Sequence, residues 1–118
     1  MNNLRDFVHK PPIMRLFRAV GIEEFYSIIK TNKFSIQTGG VHVKYFGVNS
    51  DETLYFANKI MNIDMVAVIE VGVLEDMIKI IGDFVNVDPF IFKSGTVEIQ
   101  AEYLDEFNSA IQYIIQKY

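Results

Sequence analysis

The chain has 118 residues, half of them hydrophobic, with ten Phe, six Tyr and no Cys. One domain of this length buries a real core, and the missing cysteines exclude disulfides, thiolate zinc ligands and a thiol nucleophile, a usage that fits a reducing, cytoplasmic setting. Eleven basic and fifteen acidic side chains give a formal net charge of −4 without any run of clustered Lys or Arg, which argues against gripping a nucleic-acid backbone by simple electrostatics.

Residues 1–12 read as a polar arm ending in Pro11-Pro12, whose fixed φ forces an extended entry into the domain, residues 13–118. From Ile13 to Val20 the side chains alternate, with Leu16, Arg18 and Val20 on one side and Arg15, Phe17 and Ala19 on the other, the period of a strand. Ile22, Phe25, Ile28 and Ile29 then recur at helical spacing, and Glu23 and Glu24 fall in the first turn, where the helix dipole favours negative charge. Phe34 to Val43 contains Gly39-Gly40 and reads as a loop. Lys44 to Val48 predicts a strand, and Asn49 with Glu52 has capping-box spacing ahead of a helix carrying Leu54, Ala57 and Met61 on one face.

Met65 to Val73 is apolar except for Glu70 and predicts a strand covered on both faces. It is the longest apolar stretch, too short and too interrupted to span a membrane, and the N-terminus carries no apolar run of signal-peptide length, so no membrane partner is expected. Leu74 to Ile81 reads as a helical turn running on into strand, followed by a turn-broken β-rich stretch around Asp88-Pro89. Thr96 to Ala101 alternates again, with Thr96, Glu98 and Gln100 on its polar side. Tyr103, Leu104, Phe107, Ala110, Ile111, Ile114 and Ile115 fit helical spacing to the end of the chain, predicting a terminal core-packing helix. The order of elements predicts an α+β fold, a single small domain with a mixed β-sheet and about three helices.

Phosphate-loop, dinucleotide-fold, metalloprotease and nucleophile-elbow signatures are missing. His9 and His42 lie far apart, so no metal site is expected. What remains is a set of charges on apolar strands: Arg18, Lys44, Glu70 and Glu98. A charge facing a core must be paired or hydrogen-bonded, so each of these lines a cleft, is paired, or sits on a solvated strand face.

Three stretches narrow the choice: LFRAVGIEEFYSIIKTNKF, KYFGVNSDETLYFA and SGTVEIQAEYL. Together they resemble the blocks of small bacterial ADP-ribosyltransferase-like domains, and they hold 44 of the 118 residues. The resemblance implies an ADP-ribosyltransferase-like fold, NAD as substrate, and transfer of ADP-ribose to a protein or nucleic-acid acceptor by a bacterial or phage toxin or effector. It implies Arg18 as the strand arginine that holds a phosphate or ribose, Lys44 as added positive charge, Tyr45 or Phe46 as the aromatic stacking on nicotinamide, and Glu98 as the catalytic glutamate. The chemistry suits these residue types. Breaking the nicotinamide–ribose bond develops positive charge on the sugar, which a carboxylate stabilises, and an arginine fork matches a diphosphate. Two positions depart from the family pattern: Phe46-Gly47-Val48-Asn49-Ser50 stands where a Ser-Thr-Ser type triplet is usual, and Thr96 stands where Glu or Gln usually precedes the catalytic Glu. A second reading is a non-enzymatic immunity or antitoxin protein, whose acidic balance would mask a basic toxin surface.

Overall fold

The first strand, β1 (Ile13–Val20), buries Leu16 and Val20 on one face and Phe17 on the other, and Gly21 ends it. This computed structural model describes residues 11–36 and 42–118, so most of the N-terminal arm and the Gly39-Gly40 loop lie outside it. Helix α1 (Ile22–Thr31) follows, with Glu23 and Glu24 in its first turn, and Asn32 closes it in the left-handed region at φ 58°, which Asn tolerates better than most side chains. Strand β2 (Val43–Gly47) leads into α2 (Ser50–Phe56), where the Asn49 side chain accepts a 3.0 Å hydrogen bond from the Glu52 backbone N–H, the N-cap expected from the sequence. The helix runs on through a π-helical turn at Ala57–Met61 and a short 3₁₀ turn at Asn62–Asp64. Strand β3 (Ala67–Leu74), helix α3 (Glu75–Ile81), strands β4 (Gly82–Val85) and β5 (Thr96–Gln100), helix α4 (Leu104–Ser109) and strand β6 (Ile111–Gln116) complete the chain.

The six strands form one sheet in the order β4-β5-β2-β1-β3-β6, and every pairing is antiparallel. The α+β class holds, but the sheet is not the mixed one expected, and among the described residues there are four α-helices where about three were expected. The connections explain the difference. The stretch from α2 to Asp64 carries the chain from β2 past β1 to β3, so β2 and β3 run in the same direction while β1 lies antiparallel between them. A strand-helix-strand unit therefore produces no parallel pair.

One face of the sheet holds the main core. Leu16 and Val20 of β1, Phe46 of β2, Val71 and Val73 of β3, and Val97 and Ile99 of β5 pack with Ile28 of α1, Ile78 of α3 and Phe107 of α4. Each fully buried side chain of this size contributes about 1.5–3 kcal/mol. Phe34, Phe46 and Phe107 meet with ring centroids 5.0–5.8 Å apart, pinning the segment after α1 and the start of the last excursion onto β2. Asn108 adds a two-way clamp, donating to the Phe34 carbonyl and accepting from its N–H at 2.8 Å each. The opposite face carries a smaller cluster of Phe17, Val68 and Ala57, with Leu54 and Met65 against it. Strand β3 is buried on both faces as expected.

The terminal helix is a correction. Helix α4 ends at Ser109, and Ile111, which helical spacing assigned to the same core stripe, instead begins β6 and pairs with Val73. Ile111 and Ile114, three apart, both face the core opposite Val73 and Val71 because the register shifts at Gly72–Val73, and β-branched residues beside the open edge of β3 settle as strand. Tyr113 lies flat over Gly72, where a Cβ would approach its ring to 2.1 Å. It reaches Glu70, the one charged residue of β3, at 2.5 Å, while Arg15 binds the same carboxylate through Nε and Nη2 at 3.1 and 3.2 Å. Glu70 is thus a buried, fully paired charge rather than a cleft residue.

Candidate functional site

Strands β1 and β2 touch at one register pair, Phe17 with Gly47, whereas β1 is matched to β3 along its whole length. Beyond that pair the two strands separate. Arg18 occupies the gap: its Nη1 donates to the Tyr45 carbonyl at 2.9 Å, so a side chain takes the place of a ladder hydrogen bond. The separation is the structural origin of a cavity of about 330 Å³ lined by β1 and β2, by α2 and its π-helical turn, and by the loop between β4 and β5.

The wall is mostly apolar and aromatic, with Phe17, Tyr45, Phe56, Met61 and Phe92 in it; Arg18, Glu24 and Asp88 supply charge, and Thr53 and Thr96 supply hydroxyls. Gly47 allows α2 to approach this closely, since a Cβ there would stand 2.2 Å from Thr53 Oγ1 and 3.2 Å from the Phe92 ring. Two further contacts fix the far wall. Thr96 Oγ1 donates to the Val85 carbonyl at 3.0 Å, and Ser94 binds Glu52 through its N–H and its hydroxyl, tying the loop ahead of β5 to α2.

Electrostatically the site is dominated by one carboxylate between two cations. Arg18 donates to Glu24 from Nε at 2.7 Å and from Nη2 at 3.1 Å, and Lys44 Nζ donates to the same carboxylate at 3.1 Å. The Lys44 side chain is 4% exposed, that of Glu24 12% and that of Arg18 22%. Burial pushes the Glu24 carboxyl upward, but the hydrogen bonds and charges of Arg18 and Lys44 outweigh it and hold the group below its ordinary range. Burial and the neighbouring Arg18 charge hold the Lys44 ammonium below its ordinary value, only partly offset by Glu24.

Of the residues singled out from the sequence, Arg18, Tyr45 and Phe46 line the cavity. Phe46 is fully buried and stacked on Phe107, so its ring is committed to the core, whereas Tyr45 is 37% exposed. Lys44 lies behind the wall and reaches the site through Glu24. Glu98 is not part of the wall. It is the cross-strand partner of Tyr45, two residues along β5 from the lining Thr96, and its carboxylate accepts a short hydrogen bond from Gln100. Alternation places it on the sheet face opposite Leu16, Arg18 and Val20. Burial and the adjacent Glu98 carboxylate raise the Tyr45 phenol above its usual value. Sequence reasoning missed Glu24, which it treated only as a helix-dipole residue, and the distal wall of Thr53, Phe56 and Phe92. The capping box located α2 but carried no sign of which residues would look inward.

No family model, no curated protein and no solved structure matches this chain. Among the described residues no cluster of His, Asp and Glu is arranged to hold a metal ion, and no helix is long and apolar enough to cross a membrane.

Proposed function

We propose that this domain binds NAD in the β1–β2 cavity and transfers ADP-ribose to a protein or nucleic-acid acceptor, as an ADP-ribosyltransferase-like toxin or effector of bacterial or phage origin acting in the cytoplasm. The observation that carries this reading is the convergence of the three resembling stretches. They occupy β1, β2 and β5, neighbours in the sheet, and their central residues connect: Arg18 to the Tyr45 carbonyl, and Tyr45 to Glu98 across the strand pair. The volume and the aromatic walls suit a planar ring, and Arg18 supplies the fork that a diphosphate accepts.

In the proposed reaction the bond from ribose C1′ to nicotinamide nitrogen breaks and its electron pair leaves with nicotinamide. A nucleophilic atom of the acceptor then bonds to C1′ and loses its proton. The ribose then has to project from the cavity past Tyr45, where Glu98, outside the wall but the cross-strand neighbour of Tyr45, stabilises the cationic sugar while the Tyr45 ring packs on nicotinamide. The test is nicotinamide release by wild type and Glu98→Gln in the presence of lysate acceptors, alongside NAD affinity. Affinity should change little, while turnover falls by about a hundredfold, the loss typical of removing one electrostatic stabiliser. Equal turnover would remove Glu98 from the chemistry.

A second reading is a non-enzymatic immunity or antitoxin protein. Ile63 and Phe90, 90% and 89% exposed, each stand two residues along the chain from a lining residue, Met61 and Asp88, and exposed large apolar side chains suit a protein partner. A flat thermal shift and no saturation-transfer signal with NAD would select it.

A further inference from the structure

We propose that Glu24 is an internal occupant of an anion site formed by Arg18 and Lys44, and that a phosphate-bearing ligand enters the cavity by displacing it. This rests on the nucleotide-binding reading of the cavity but concerns a residue that the reading does not use. A carboxylate held two-pronged on a guanidinium presents the same paired-acceptor geometry as a phosphate. Glu24 does so here, with Nε and Nη2 of Arg18 at 2.7 and 3.1 Å, and Lys44 Nζ adds a third donor at 3.1 Å. The remaining Arg18 terminus, Nη1, is taken by the Tyr45 carbonyl. Each terminal nitrogen and Nε of the guanidinium therefore already has an acceptor within the chain.

The consequence is competition. Arg18 and Glu24 both line the cavity, so a ligand phosphate meets a cation whose fork is filled by a side chain of the same formal sign as the ligand. Binding then requires the Glu24 side chain, carried on the first turn of α1, to swing away from Arg18. The exchange favours groups carrying more charge than a carboxylate and discriminates against weakly charged anions. Glu24 is accordingly a specificity-determining residue rather than a catalytic one.

The experiment is calorimetric titration of wild type and Glu24→Gln with inorganic pyrophosphate and, separately, with NAD. Glutamine keeps the size of the side chain and removes its charge. Pyrophosphate should bind Glu24→Gln about tenfold or more tightly than wild type, the scale of one charge-assisted hydrogen bond. Equal or weaker pyrophosphate binding by a folded Glu24→Gln, or none by either protein, overturns the inference. A gain for pyrophosphate with no NAD binding by either protein sustains it and sinks the NAD reading instead. NAD binding of equal strength in both proteins without a pyrophosphate gain does the reverse. Should Glu24→Gln not fold, ¹³C-detected titration of wild type replaces it. Pyrophosphate should then shift the Glu24 carboxyl carbon together with the Arg18 Nε resonance, and a Glu24 signal that stays fixed while pyrophosphate binds overturns the proposal.

Discussion

Replacing Arg18 by alanine tests fold and site in one variant, because the side chain bridges β1, β2 and α1 at the point where the sheet opens. The change removes two hydrogen bonds to Glu24 and one to the Tyr45 carbonyl. Hydrogen bonds involving charged groups contribute about 1.5–3 kcal/mol, but Arg18 is 22% exposed and water replaces part of the loss. Glu24 is not stranded either, since Lys44 stays 3.1 Å away. The expected destabilisation is therefore about 1–2 kcal/mol, read as a lower urea midpoint with an unchanged slope and as a melting temperature reduced by about 3–8 °C. In the site, two cations and one carboxylate become one of each, so NAD affinity by calorimetry should fall about tenfold or more. Arg18→Lys restores charge without the fork and should recover only part of it. Unchanged melting and unchanged NAD affinity in Arg18→Ala would refute both the bridging role and the place of Arg18 in the site.

Two further outcomes follow from the packing and the buried charges. Gly47→Ala should destabilise the domain by about 1–3 kcal/mol, because its Cβ would stand 2.2 Å from Thr53 Oγ1; in a Thr53→Ala background the same change should be far milder, and additive melting shifts would contradict the clash. Acid should destabilise the fold through Glu24 and Glu70. Arg15, through its hydrogen bond to Glu70, is the main reason that carboxyl sits low, and both carboxyls titrate below their ordinary 4.5 in the folded state. Their contribution is present above that value and lost as pH falls through the folded values. Urea midpoints should therefore drop steeply below about pH 4.5, and a Glu70→Gln variant, already lacking its contribution at neutral pH, should show a shallower fall.

The sequence by itself determined most of the local structure. Alternation from Ile13 to Val20, the spacing of Ile22, Phe25 and Ile28, the Asn49–Glu52 cap, and the apolar run into Val73 are short-range signals. Each reports a backbone period or an end group that neighbouring residues decide among themselves, and β1, α1, α2 and β3 stand where those signals put them. The lone charge at Glu70 left a cleft, a partner or a solvated face open, and the fold supplied a partner. Which partner could not be read, because Arg15 and Tyr113 lie 55 and 43 residues away and meet it only once β1 and β6 flank β3. The same dependence on neighbours turned the expected end of a terminal helix into β6, since β-branched isoleucines beside the vacant edge of β3 pair with it, and a register shift at Gly72–Val73, which no sequence period announces, brings Ile111 and Ile114 to the same face. It also decided the site. Arg18 and Glu98 look equivalent as charges on alternating strands, yet the register puts one into the gap between β1 and β2 and the other beside Tyr45, outside the cavity wall. Glu24, a first-turn glutamate by sequence, becomes the counter-ion of two strands because α1 folds back across the place where they part.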